Sequence, residues 1–335
     1  MLTKLYMVFN PNGTEKVPTL YETFREREKH IPEIGKQLQE TKSVEVDIAG
    51  DKFSVDCRVL SIKEKEDKEK EPIVLLQGFG SGWEGAAELG FSLACEGRKV
   101  VLLSLPGYGN SEDPPREYYE DEGGFNNESE SVRQVLEHIQ EEGGLDAKKV
   151  HLIGHSMGAI VATAFAEKNS DMTSSVTLLN PAAVKEKENP ILLGAKFSFS
   201  GAMPKLEKMA RLAFSGEREY FDKLQKYVPK VERGNFFGLR AKQRLSEIQR
   251  ISSAQIPQLL QRVQCPVVYM PGEFDFVYPA GKESGQMQTI QERANNLFAI
   301  RMLQGMHHNT TTFANEVTAN NIDAYLIEIE EKKNV

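Results

Sequence analysis

"VHLIGHSMGAIVATAFAEKN", Val150–Asn169, begins with one periodicity and ends with another. Val150–Gly154 has the short, nearly continuous apolarity of a strand buried on both faces. From Ser156 onward the apolar residues follow a helical pattern. At the join Ser156 stands between Gly154 and Gly158, the spacing G-x-S-x-G. So sharp a strand-to-helix corner needs glycines where side chains would collide. It holds the serine in a strained conformation with Oγ projecting above the end of the sheet. The first amides of the helix lie beside that hydroxyl, so the Met157 N–H can donate to an oxyanion. The small residues Ala159, Ala162 and Ala164 allow the helix to pack close to the sheet.

Working outward from this corner, the same strand signature recurs at 73–77, 99–105, 149–154, 175–180, 266–272 and 297–303. Helical patterns at 84–96, 128–142, 156–168, 282–295 and 315–332 separate most of these runs. Strand–helix alternation predicts an α/β fold, a mostly parallel central sheet with helices on both faces. Upstream, "SVEVDIAG" and "FSVDCRVLSIK" alternate apolar and polar residues, as an antiparallel pair with one wet face does. The charge run "KEKEDKEKEP" after them reads as a solvated loop. Between Pro181 and Arg262 no strand pattern occurs, and "MPKLEKMARLAF" and "EYFDKLQKYV" space their apolar residues as amphipathic helices. The expected organisation is an N-terminal extension at 1–42, core at 43–180, a helical cap at 181–262 and core again at 263–335.

A chain of 335 residues with 40% hydrophobic content can build one large core and a small subdomain. Its net charge of −8 argues against general nucleic-acid binding. No apolar run approaches the ~20 residues of a membrane span. "MLTKLYMVFNPNG" lacks the features of a signal peptide. Cys57, Cys95 and Cys265 show neither a disulfide framework nor metal spacing, which points to reduced core thiols and a cytoplasmic protein. With no phosphate-binding loop and no metal-ligand cluster in the sequence, neither metal nor cofactor is expected. The stretch 181–262 holds 16 Lys and Arg against 8 Asp and Glu, inside an acidic chain. Solvated helix faces account for that surplus; attraction of anionic substrates or an anionic lipid surface is the alternative.

With its setting, "GHSMG" resembles the nucleophile elbow of the α/β-hydrolase superfamily, and the resemblance runs from about Ser43 to the C-terminus. It implies a Ser–acid–His order along the chain. Of the six histidines, only His307 and His308 lie late enough. "LQGMHHNTT" resembles the family's G-x-x-H loop, and counting from Gly305 favours His308 as the base, with His307 as the alternative. "PVVYMPGEFDFVYP" resembles the strand followed by G-x-x-D-x-x-x-P, which places the orienting acid at Asp275, with Glu273 the weaker choice. "LLQGFGSGW" resembles the family's H-G-F-G loop, with Gln77 where histidine is common. The resemblance implies that the Phe79 N–H is the second oxyanion donor. Gly78 lets the backbone approach the substrate, and Gln77 holds the loop by hydrogen bonding. "SLPGYGNS" departs from a family turn usually led by aspartate, here Ser104.

The expected activity is cleavage of a carboxylic ester with an apolar acyl group through an acyl-enzyme. The small-molecule ester would be the only partner implied. Thioesterase, C–C hydrolase and acyltransferase activity remain open, because the fold hosts them all. A non-catalytic ligand-binding protein is the competing class.

Overall fold

The computed structural model describes residues 26–120, 125–184, 189–191, 193–194, 196, 223–224, 226–228, 240–254, 256–280, 285–304, 306–308, 311 and 315–333. Its centre is an eight-stranded sheet in the order β1-β2-β4-β3-β5-β6-β7-β8. The strands are β1 Lys42–Ile48, β2 Asp51–Leu60, β3 Ile73–Leu76, β4 Val100–Leu103, β5 Val150–His155, β6 Thr173–Leu179, β7 Val267–Met270 and β8 Leu297–Ile300. β1 and β2 form a hairpin, and β2 runs antiparallel to β4. All other pairings are parallel. The hairpin turns on Ala49 and Gly50, with φ of 56° and 94°. Positive φ at both central residues matches the twist of paired strands, and glycine takes the second position without strain.

The helices are α1 Ile31–Gln39, α2 Ala87–Cys95, α3 Asn126–Glu141, α4 Met157–Lys168, α5 Arg240–Ser253, α6 Ile256–Leu260, α7 Gln286–Arg293 and α8 Asn315–Lys333. They divide between the two faces of the sheet because strand side chains alternate. Val74 and Leu76 join Leu136 of α3, Phe165 of α4 and Ile290 of α7 in one core cluster. Ile73 and Leu75 join Leu38 of α1, Phe91 of α2 and Leu326 of α8 in the other. α4 is apolar nearly all round and sits on the middle strands, with every residue from Met157 to Ala166 buried.

Two expectations need correcting. β8 is only partly buried, since an edge strand has a neighbour on one side alone. β2 has no continuous wet face, because α1 lies over it: Ile34 and Leu38 are buried, and Arg58 donates from Nε to the Leu38 carbonyl at 2.8 Å. Among the described residues no helix is long and apolar enough to cross a membrane. The helical patterns at Met203–Phe214 lie outside the described residues.

The chain leaves β3 for β4 on one side and reaches β5 on the other. At such a switch point the loops from neighbouring strands diverge and open a crevice beyond their carboxyl ends. Gln77–Phe79 follows β3 and Ser156 follows β5, so both line that crevice.

Candidate active site

Ser156 sits between β5 and α4 with φ 54° and ψ −116°, outside both helix and strand. Non-glycine residues in such regions carry strain of roughly 1–3 kcal/mol, held by the surroundings. Here the surroundings are backbone bonds. The Ser156 N–H donates to the Leu179 carbonyl at 3.1 Å, and the Ser156 carbonyl accepts from Ala159 and Ala182, each at 3.1 Å. The flanking glycines are required by space. A Cβ on Gly154 would lie 2.4 Å from the Gly158 carbonyl oxygen, and one on Gly158 would lie 2.2 Å from that of Leu76.

Two loops beyond β7 and β8 carry the next groups. They are laminated backbone to backbone: Glu273 N–H donates to the Leu303 carbonyl at 3.0 Å and Phe274 N–H to that of Met306 at 2.8 Å. This brings Asp275 and His308 together. The His308 Nδ1–H donates to Asp275 Oδ2 at 2.8 Å, and Ser156 Oγ–H donates to His308 Nε2 at 3.0 Å. All three residues are buried. Asp275 Oδ1 accepts from the amides of Val277 and Tyr278, both at 2.8 Å. Burial alone would raise the Asp275 pKa. The His308 ring and the two amides outweigh it and hold the carboxyl below its ordinary value. The result is a fixed carboxylate that sets the tautomer of His308 and leaves Nε2 free to take a proton.

The loop after β3 passes directly against Ser156. A Cβ on Gly78 would stand 2.9 Å from Ser156 Cβ. Phe79 is half-buried and meets Tyr108 edge-on, ring centroids 6.4 Å apart. Tyr108 Oη lies 3.7 Å from Met157 Sδ and donates to Glu247 Oε2 of α5 at 2.8 Å. Gln77 is buried, but its Nε2 meets no acceptor, so the loop-holding hydrogen bond expected of Gln77 is not made through that nitrogen.

His307 is turned elsewhere. Its ring lies 5.8 Å from that of Phe274, and its Nδ1–H donates to the Phe274 carbonyl at 3.2 Å. Glu273 is exposed and outside the chain of bonds. The three cysteines are buried and none is in a disulfide. His151 is fully buried, with Nδ1 2.7 Å from Ser175 Oγ and Nε2 3.0 Å from Glu330 Oε1.

Glu71, His151 and Glu330 could by their spacing hold a metal ion, a grouping the sequence does not reveal. Arg98 and Lys333 already neutralise the two carboxylates, so the group is a charge-balanced ion cluster.

Sequence reasoning missed how the His308 backbone is held. His155 Nε2–H donates to the His308 carbonyl at 2.7 Å, and Asn180 Nδ2–H donates to the same oxygen at 2.8 Å. Only the position of Asn180 at the end of an apolar run could have drawn attention to it. Glu247 resembles any charge on an amphipathic helix and gave no signal.

The family described as alpha/beta hydrolase fold matches residues 71–307. A 155-residue stretch is 31% identical to 1-acylglycerol-3-phosphate O-acyltransferase ABHD5 of Sus scrofa, covering 44% of this chain and 41% of that protein. A 112-residue stretch is 33% identical to 2-hydroxy-6-oxononadienedioate/2-hydroxy-6-oxononatrienedioate hydrolase of Cupriavidus pinatubonensis, covering 32% of this chain and 35% of that one. The matched stretches span less than half the length of either relative. A thermophilic esterase from Thermogutta terrifontis superposes with a TM-score of 0.60 at 15% identity, covering 87% of this chain and 99% of that one. At that identity the likeness is one of fold.

Proposed function

The chain belongs to the α/β-hydrolase fold family, and from that premise we propose that it is a serine hydrolase cleaving carboxylic esters with an apolar acyl group. The observation that carries this reading is the unbroken line of hydrogen bonds from Asp275 through His308 to Ser156 Oγ. Serine is a weak nucleophile until a base takes its proton. His308 Nε2 takes it as Oγ attacks the ester carbonyl carbon. The Phe79 and Met157 amides receive the oxyanion. Collapse of the tetrahedral intermediate breaks the carbon–oxygen bond, and Nε2 returns its proton to the leaving alcohol. Water then attacks the acyl-serine with His308 again as base, and collapse breaks the acyl carbon–Oγ bond, returns the proton from Nε2 to Ser156 Oγ and releases the carboxylic acid. Asp275 stays ionised throughout and stabilises the imidazolium.

The apolar bodies of Phe79, Tyr108 and Met157, which meet next to Ser156, support an apolar acyl group. Buried thiols outside any disulfide favour a reducing compartment, the cytoplasm.

A series of p-nitrophenyl esters of increasing chain length, with Ser156→Ala alongside, tests the reading. Turnover that disappears in the variant supports it, and the preferred length sizes the pocket. Fluorophosphonate that fails to label Ser156 in the wild type would overturn it.

Acyl transfer is the second reading, favoured by the acyltransferase among the similar proteins. Its acyl-enzyme would be the same, and an added alcohol or thiol would compete with water for the acyl group. Partitioning of product toward the added acceptor at low concentration would select it.

A further inference from the structure

The carbonyl oxygen of His308 accepts two side-chain donors, one from the elbow and one from the end of β6. His155 Nε2–H reaches it at 2.7 Å and Asn180 Nδ2–H at 2.8 Å. Asn180 does more. Its Nδ2 also donates to the His307 carbonyl at 3.0 Å, and its Oδ1 accepts from the Gly272 N–H. One amide thus ties the loop carrying His308 to the loop carrying Asp275. Asn180 has φ 45° and is buried, and asparagine is among the few residues that tolerate the left-handed region.

His155 precedes Ser156 in the chain, so its bond joins the nucleophile's backbone to the base's backbone. The distance between Ser156 Oγ and His308 Nε2 is therefore set by a brace one residue away on the serine side. The bonding fixes the chemistry of His155. Burial, with the nearby His308, lowers its pKa to about 3, and because Nε2 of the neutral ring donates to a carbonyl, Nδ1 carries no proton. A neutral ring is what the site needs, because the His155 and His308 ring centroids are only 5.1 Å apart. A charge there would oppose the imidazolium that His308 becomes during turnover.

We propose that Asn180 and His155 are positioning residues that clamp the His308 carbonyl and hold the base in register with both Ser156 and Asp275. The proposal rests on the reading of these three residues as the reacting group. Proper alignment matters because a misplacement of about 1 Å can cost on the order of 10²-fold in rate.

Two readouts test the clamp. The first is the steady-state rate per active site, titrated with fluorophosphonate, for Asn180→Gly and His155→Phe. Glycine tolerates the backbone at 180, so this variant removes the donor without new strain; Asn180→Asp serves if it fails to fold. The expected result is a fall in kcat of about tenfold or more with little change in KM. His155→Gln, which keeps a donor, should recover most of the loss. The second readout needs no substrate: the far-downfield proton resonance of His308 Nδ1–H bonded to Asp275 should broaden or vanish in the donor-less variants and return in His155→Gln. Folded variants with unaltered kcat and an unaltered resonance would overturn the clamp, as would a lower melting temperature with kcat per site unchanged. If the wild type turns over no ester yet the resonance responds, the hydrolase reading fails and the clamp stands.

Discussion

Gly78 stands so close to Ser156 that a methyl group on its Cα would lie 2.9 Å from the serine Cβ and 3.1 Å from His155 Nδ1. Neither neighbour is free to yield. Ser156 is fixed at a strained corner by backbone bonds, and His155 is tied to the His308 carbonyl. In Gly78→Ala the loop itself must move, and the Phe79 amide moves with it. If that amide holds the oxyanion, kcat on a p-nitrophenyl ester should fall by about 10²- to 10³-fold. Steady-state kinetics with circular dichroism as a folding control measure it. Wild-type kcat in a folded variant would exclude Phe79 as a donor.

The two adjacent histidines make contrasting predictions. His308 bonds both Ser156 and Asp275, whereas His307 stacks on Phe274. His308→Ala should lower kcat/KM by on the order of 10⁴-fold or more. His307→Ala should lower it only a few-fold, as loss of a stacking partner would. Ester kinetics on both variants settle the assignment, and the opposite ranking would make His307 the base.

Acid should weaken the fold partly through His155. Burial first, and the neighbouring His308 second, lower its pKa from 6.5 to about 3. Below pH 6.5 the unfolded chain takes up a proton that the native state refuses. Stability is therefore lost as pH falls from 6.5 toward 3, at up to about 1.4 kcal/mol per pH unit. His151, also lowered by burial, adds a slope of the same sign. Comparing wild type with His155→Gln isolates His155, since His151 is common to both. In urea unfolding at pH 7.5 and pH 4.5 the stability advantage of the wild type should shrink at the lower pH. An advantage that stays constant would mean His155 is protonated in the native protein.

The elbow was legible because its signal is local: a change of period, a serine and two glycines within a few residues. The strands were legible as apolar runs, yet the runs overshoot. The run 99–105 contains the strand Val100–Leu103, and 297–303 contains Leu297–Ile300. Leu105 is buried in a loop, and apolarity there reports burial rather than pairing. What the sequence hid are the polar contacts between distant positions. His155 and the His308 carbonyl are 153 residues apart, and Arg98 and Glu330 are 232. Glu330 lies in "IEIEEKK", where it looks like any solvated helix charge. Lys70 and Glu71 belong to the charge run read as a solvated loop, yet Lys70 bonds Asp323 at 3.1 Å and Glu71 lies 3.2 Å from His151. Charge pattern alone does not separate a solvated carboxylate from a paired one, because pairing depends on which elements the fold brings together.

That ion cluster carries the last prediction. Arg98 is fully buried. It donates from Nε to Asp323 Oδ1 at 2.7 Å, from Nη2 to Glu330 Oε2 at 3.0 Å and from Nη1 to the Glu71 carbonyl at 3.1 Å. Asp323 and Glu330 both belong to α8, so one guanidinium fastens the last helix to the amino end of the sheet. Arg98→Met would leave Glu330 facing Glu71 without its main cation, and breaking a buried pair in this way costs about 3–5 kcal/mol. Urea unfolding at pH 7.5 should show that loss. The cluster lies at the opposite end of the strands from Ser156, so kcat per titrated active site should stay near wild type. Acid should act on the same contact. Burial opposes ionisation of Glu330, but the bonds to His151 and Arg98 outweigh it and lower its pKa from 4.5 to about 2. The Glu330 contribution is therefore complete above pH 4.5 and lost as pH falls toward 2. Glu330→Gln should be less stable than wild type at pH 7.5, and that difference should close as acid protonates the native glutamate. A gap that persists at pH 2.5 would place the stabilisation in packing of α8 rather than in the charge on Glu330.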